Sequence, residues 1–441
     1  MQIENVVDPR ELSRRYLAGG IASINRLADP DIVFVRADGA YLWDNEGKRY
    51  IDYHAAFGPY VLGHNDAYVN DAVRRVLSEG HSLYGSGTTE LEGRLAELIC
   101  GCAPFLESVA LLNTGSEATY QALRLARAWT RRDHIIVMQG GYNGWHNDVA
   151  CNLMTPLADL GPRSTGEEYP FLPISAGIPA SHQSLVHPVG YNDLDAVRNV
   201  AERYPVAAII LEPILQNIGI VKPLAGYLQG LRKLADEKGF VLIFDEVKTG
   251  FRHALGGYAS VSGVSPDLAV YGKAIANGYP LAAIGGRKDI LDLFIDADPR
   301  KRVLLAGTYN AHPVMVAAAI ATIERLAADD GAIYREFERK GSWLQSEIET
   351  LGRKAGFKML VSRQGSAFCP YFMDHAPVDW HDLAASHNFQ LDTAIRKTTI
   401  SQGVYAFPIA VKQWSISDAH TDRDLEDTVA VLKNVLVSAK L

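Results

Sequence analysis

The 441-residue chain has only four cysteines, Cys100, Cys102, Cys151 and Cys369, and no C-x-x-C pair. They are too sparse for a disulfide framework and wrongly spaced for a structural zinc site, and suit a reducing compartment. No stretch reaches the ~18 uninterrupted apolar residues of a membrane span. The opening MQIENVVDPRELSRRY places acids and arginines where a secretory signal needs an apolar core. Positive charge is short too: 43 Lys+Arg against 51 Asp+Glu leave a net charge of −8, without the broad basic field that nucleic acid or anionic lipid requires. Two phosphate-binding patterns are missing. There is no G-x-x-x-x-G-K-S/T, and no G-x-G-x-x-G after a strand, which excludes a P-loop ATPase and a dinucleotide fold. The expectation is a soluble cytoplasmic protein with no metal site, no nucleic-acid partner and no membrane partner, about three domains long at ~150 residues each.

What the chain does have is alternation. From Val109 to Gly286, short apolar runs (VALLN, IIVMQ, AAIILEP, VLIFDE, LAVYG, LAAIGG) are separated by helical patterns. Uninterrupted apolarity reads as strands buried on both faces, and the helices supply the crossovers of a mostly parallel sheet. The fold class is therefore α/β. Ala118, Ala122, Leu125 and Trp129 recur at helical spacing and predict a stripe packed on that sheet. After Thr322 come a long charged helix, from about Ile323 to Ala355, then short β-like runs and a last helix from Asp422, which read as a smaller α+β lobe. The segment 1–65, with strand-like FVRAD and AYLWD, is too short for its own core and is expected to pack on that lobe. The division is thus 1–65, 66–322 and 323–441. Between His146 and Asn192 lies a Pro-, Gly- and Ser-rich stretch whose length argues for a functional flap over plain disorder.

Three segments carry chemistry. Asn113-Thr114-Gly115-Ser116-Glu117 comes after a strand and opens a helix; its T-x-x-E spacing predicts a capping box, and the helix terminus offers free N–H groups to a phosphate. Alone, it reads more readily as a plain strand-to-helix turn. Val241–Asp245 is a buried strand ending in Asp245-Glu246, where Asp245 either serves a ligand or caps the next turn. Lys273 comes after the strand Leu268–Tyr271, so its amine emerges at the carboxyl edge of the sheet, where open α/β sheets bind ligands. A half-buried lysine there loses its charge easily and attacks carbonyls, although a solvated strand-end lysine would read the same. Together they match one cofactor. Pyridoxal phosphate needs a phosphate cradle, a carboxylate for its ring nitrogen and a lysine for its aldehyde.

From about Gly19 to the C-terminus the chain resembles the class III pyridoxal-phosphate aminotransferases of fold type I, and within them the glutamate-1-semialdehyde aminomutase subgroup. GAYLWDNEGKRYIDY, NTGSEATYQALRLAR, AAIILEPILQNIGIV, VLIFDEVKTGFR, SPDLAVYGKAIANGYPLAAIGG, AGTYNAHPV and SDAHTDRDLEDT carry the resemblance in order. It implies that Lys273 forms the Schiff base and moves the proton, that Asp245 pairs with the ring nitrogen, and that Gly115 and Ser116 hold the phosphate. It implies further that Tyr142 stacks on the ring with Val247 on the opposite face, and that Glu212 and Asn217 lie near the phenolic oxygen. Thr308 would reach the phosphate of the other subunit, which requires a homodimer sharing its active sites. Ser23 and Arg26 would lie at the substrate end, Arg26 gripping a carboxylate.

The chain departs from the family at three points, one of them a flap longer and differently composed from the aminomutase's. The family's Tyr-His-Gly is Tyr142-Asn143-Gly144 here, and Lys412 falls where the aminomutase has a glutamate. An acid replaced by a base alters which substrate end is tolerated. On this ground the sequence favours an aminotransferase that takes an amino acid, β- and D-amino acids included, and a keto-acid acceptor. The internal amine exchange of glutamate-1-semialdehyde is the alternative, and a non-catalytic protein retaining the fold is a minor third.

Overall fold

The computed structural model describes residues 8–439, so the ends of segments 1–65 and 323–441 lie outside it. A seven-stranded sheet runs in the order Ser108–Leu112, Ala282–Gly286, Leu268–Tyr271, Val241–Asp245, Val206–Leu211, His134–Met138, Val186–Val189. Ala282–Gly286 is antiparallel to both neighbours, and the remaining pairings are parallel. Every residue of Val206–Leu211, Val241–Asp245 and Leu268–Tyr271 is buried, as strands covered on both faces by helices must be. The chain therefore has the fold type I architecture expected of it.

The helix Gly115–Thr130 lays Ala118, Ala122 and Leu125 against this sheet with no exposed surface. Trp129 departs from the expected stripe. It is 40% exposed, and the Arg287 guanidinium lies over its ring, 5.3 Å from the centroid. The seventh strand, Val186–Val189, is a second departure, because the sequence pattern assigns it to the flap. Its VHPV sequence carries a proline, which sheets tolerate at an edge, and it is one of the two edge strands here.

The rest of His146–Asn192 is tied down. Asn152, fully buried, donates to Gln139 Oε1 and to the Pro170 carbonyl, both at 2.9 Å, and Trp380 Nε1 donates to the Thr155 carbonyl at 2.8 Å.

Phe34–Asp38, Tyr41–Asp44 and Arg49–Asp52 form an antiparallel meander that Val404–Tyr405 joins in parallel, so both chain ends share one sheet. A three-stranded sheet (Leu360–Gln364, Ala367–Tyr371, Trp414–Ser415) and the helix Asp422–Ser438 complete this region. We propose the same division at 65 and 322 with one adjustment. The helix Pro313–Ala355 runs through residue 322 and breaks at 328–331, where Asp329, Asp330 and Gly331 take left-handed backbone.

Candidate active site

Five of the parallel strands end at one edge of the sheet, and the segments leading out of them line a single cavity of about 450 Å³. After Ser108–Leu112 comes the capped turn. Thr114 Oγ1 accepts the Glu117 N–H at 3.3 Å, and Glu117 Oε2 accepts the N–H groups of Thr114 at 3.2 Å and Asn113 at 3.0 Å. The N–H groups of Gly115 and Ser116 then have no partner among the described residues and sit at the positive end of the helix dipole. A Cβ at Gly115 would stand 2.9 Å from a Val247 methyl, and one at Gly144 would stand 2.9 Å from Ser116 Oγ. Glycine at both positions keeps open a concave, donor-lined cradle.

Asp245 lines the cavity and is buried. One oxygen accepts from Asn143 Nδ2 at 2.8 Å and the other from the Val247 N–H at 3.0 Å. Burial pushes its pKa up to about 6, Glu212 adds to the rise, and the bonds from Asn143 and Val247 oppose it. Its neighbour Glu246 turns away to accept the N–H groups of Tyr258 at 2.9 Å and Ala259 at 2.7 Å. Only Asp245 of the pair lines the cavity.

Lys273 begins a short 3-10 turn, Lys273–Ala276, with φ at +48°. Left-handed backbone costs a lysine about 1 kcal/mol, and strain of this kind collects where a side chain must be aimed. Burial lowers its pKa, while Asp245 and Glu212 work to raise it.

Glu212 braces two loops: Oε1 accepts the Tyr142 N–H and Oε2 the Gln216 N–H, both at 3.0 Å. Tyr142 and Val247 both line the cavity, as does Asn217.

The remaining expected residues are not brought to this cavity. Lys412 Nζ donates to the Asn217 carbonyl at 2.7 Å and approaches Met154 Sδ at 3.2 Å, and Lys412 is not among the residues that line the cavity. Burial brings its pKa down to about 8. Ser23 and Arg26 sit at an exposed short turn, Ile24–Arg26, and line a separate cavity with Asp52, His54 and Phe57 that shares no lining residue with the first. The resemblance puts both at the substrate end of the site; within this one chain the segment packs over the N-terminal meander. Thr308 lies in a third cleft with Ser82–Gly87. Two cavity residues carry no signal of their own in the sequence. Asn143 shows there only as a departure from the family's histidine, and Lys248, three residues after Asp245, stands there only within the run VLIFDEVKTGFR, with no role of its own.

The aminotransferase class-III family profile matches residues 24–427. The chain belongs to that family. The glutamate-1-semialdehyde 2,1-aminomutase of Syntrophobacter fumaroxidans is 37% identical over 432 residues, 97% of this chain and 96% of the relative. Among solved structures, an omega-transaminase from Sphaerobacter thermophilus superposes with a TM-score of 0.88 at 28% identity, covering 98% of this chain and 97% of that one. A beta-phenylalanine aminotransferase from Variovorax paradoxus gives 0.81 at 30% identity, covering 96% and 92%. This class-III chain is accordingly an enzyme of the aminotransferase or aminomutase type, and its cofactor is pyridoxal 5′-phosphate. The cavity fits that group by its own geometry. It offers an anion cradle at Gly115 and Ser116, a buried carboxylate with no ion-pair partner among the described residues, and an amine at a strained sheet-edge position. Among the described residues no helix is long and apolar enough to cross a membrane.

Proposed function

We propose that the enzyme is an aminomutase-type member of the family that moves an amine within glutamate-1-semialdehyde to give 5-aminolevulinate. The observation that carries this is the 37% identity to an aminomutase over nearly the whole of both chains. It reverses the preference drawn from the sequence. That preference rested on departures from the family, Asn143, the flap and Lys412 among them, and the Lys412 ammonium donates to the Asn217 carbonyl and does not line the cavity. The likeness to an omega-transaminase supports a second reading, an aminotransferase with an amino-acid donor and a keto-acid acceptor.

Pyridoxal phosphate, when bound, supplies a carbonyl that takes up the amine and a ring that draws electrons from the substrate carbon. Lys273 is the nucleophile that anchors the cofactor, and its lowered pKa raises the share of neutral amine that can attack. Once free of the cofactor, the same amine would hold and move the proton at the substrate carbon that bears the amine. Asp245 keeps the ring nitrogen protonated, and Asn143 holds that carboxylate in place. Gly115 and Ser116 bind the phosphate, Tyr142 and Val247 enclose the ring, and Glu212 and Asn217 shape the edge nearest the phenolic oxygen. Thr308 reaches the phosphate of a second subunit. Its cleft lies apart from the Lys273 cavity, and nearby Tyr84 and Tyr309 are each 59% exposed, as a dimer face requires.

Borohydride reduction is expected to fix the cofactor covalently to the wild-type chain and not to Lys273→Ala protein. Covalent cofactor in that variant would remove the lysine assignment. Glutamate-1-semialdehyde should be converted with no keto acid present. A strict requirement for a keto acid would instead support the aminotransferase.

A further inference from the structure

Thr119, on the helix Gly115–Thr130, and His146, the first residue of the flap, are both buried, and neither lines the Lys273 cavity. Their contacts lie within the protein and do not depend on what fills that cavity. A threonine hydroxyl inside a helix usually turns back to a carbonyl of the preceding turn. Thr119 Oγ1 has such an acceptor, the Ser116 carbonyl at 3.2 Å, but a closer one lies off the helix, the backbone carbonyl of Asn143 at 2.6 Å. Two oxygens that close need a proton between them, and among the described residues no other donor reaches the Asn143 carbonyl. The hydroxyl proton is therefore committed to Asn143.

His146 Nε2 stands 3.2 Å from the same Oγ1, and with the hydroxyl proton committed it must carry a hydrogen and donate it. The geometry thus assigns a chain that runs one way: His146 Nε2–H to Thr119 Oγ1, Thr119 O–H to the Asn143 carbonyl, and Asn143 Nδ2–H to Asp245 at 2.8 Å. Such chains strengthen each of their bonds by polarisation. Burial brings the His146 pKa down to about 4, with Asp148 opposing and Arg127 and His182 adding to the fall, so the imidazole is neutral where Asp245 titrates. The helix grips the same loop a second time, Ser116 Oγ accepting the Trp145 N–H at 3.3 Å. The loop 143–146 is pinned to the helix that opens with the phosphate cradle, and its pinned backbone sends the Asn143 side chain to Asp245.

We infer that Thr119 is a positioning residue, with His146 behind it: its hydroxyl fixes the Asn143 backbone so that the Asn143 amide meets the Asp245 carboxylate, and through that carboxylate it governs how firmly the cofactor's ring nitrogen is held. The flap thereby takes part in the site through its first residue. The inference deepens the reading that Asp245 meets the ring nitrogen, and rests on it.

The test is the pH profile of pyridoxal-phosphate affinity, followed by absorbance titration of the full chain freed of cofactor. Thr119→Val removes the hydroxyl and is expected to raise the inflection from about 6 by about half a pH unit, part of what one hydrogen bond contributes. Thr119→Ser should return it to the wild-type position. Glu212 and Lys273, which also face Asp245, are the same in every variant. The shift should not add to that of Asn143→Ala: the double variant keeps the inflection of Asn143→Ala alone, as members of one hydrogen-bonded chain require. A lower unfolding midpoint in Thr119→Val with the inflection unmoved reduces Thr119 to packing and overturns the inference. A shift that adds fully to that of Asn143→Ala overturns it too, because Thr119 then acts on Asp245 by another route. Should Thr119→Val not fold, His146→Phe, which frees the hydroxyl to turn to the Ser116 carbonyl, is expected to raise the inflection, and an unmoved one there overturns the inference equally. Asp245→Asn separates the two levels. An inflection that survives it shows the reading of Asp245 to have failed and takes the inference with it, whereas one that it abolishes and Thr119→Val leaves in place shows the inference alone to have failed.

Discussion

Asp245 is a carboxylate in surroundings that disfavour its charge, and the Asn143 amide offsets part of that penalty. Its folded pKa of about 6 lies above the ordinary aspartate value of 3.8, so the group is ionised above about pH 6 and protonated below. Pairing with a protonated ring nitrogen needs the ionised form. Cofactor affinity of the apoprotein, measured by absorbance titration, is therefore expected to fall as pH drops through about 6, and Asp245→Asn should abolish the inflection. Asn143→Ala removes a bond that favours the charged form, so the inflection should move to higher pH; an unmoved inflection would deny Asn143 its positioning role. For apoprotein stability the sign is opposite: the buried ionised carboxylate destabilises the fold above about pH 6, and the penalty fades as pH falls. Lys273 and Asp245 are legible as strand-end residues. Asn143 and Lys248 are not, since each matters through a partner distant in sequence, Asp245 in one case and the Gln216 carbonyl in the other.

At the scale of elements, the capped turn before Gly115–Thr130 does two things at once: it starts a helix and leaves two N–H groups free. Gly115→Ala keeps the capping box but sets a methyl 2.9 Å from Val247, which must shift into the cavity. The expected outcome is a loss of cofactor affinity of about tenfold, or ~1.4 kcal/mol, with the unfolding midpoint nearly unchanged. A large fall in the midpoint with affinity intact would place the glycine in packing alone. The capping box is readable because it is local, four residues in one turn. The strand Val186–Val189 is not. Pro188 and His187 disguise it, and only pairing with His134–Met138 makes it a strand.

At the scale of the molecule, the proposed dimer predicts a complementation. Lys273→Ala and Thr308→Ala subunits should each be impaired alone, and mixing them should rebuild one complete site per heterodimer if Thr308 acts across the interface. Activity that does not recover on mixing would place Thr308 with its own chain's site. The α/β alternation and the residues at the strand ends were determined by the sequence itself, because strand burial, helix periodicity and capping are set by neighbours along the chain. Which cations reach the cavity was decided only by the tertiary structure. Arg26, Lys248 and Lys412 are alike as sequence, yet one lies over the N-terminal meander, one lines the cavity and one is held on the Asn217 carbonyl without lining it. A charge acts through the dielectric and partners around it, and those are assembled from segments that meet only when the sheet closes and the lobe packs.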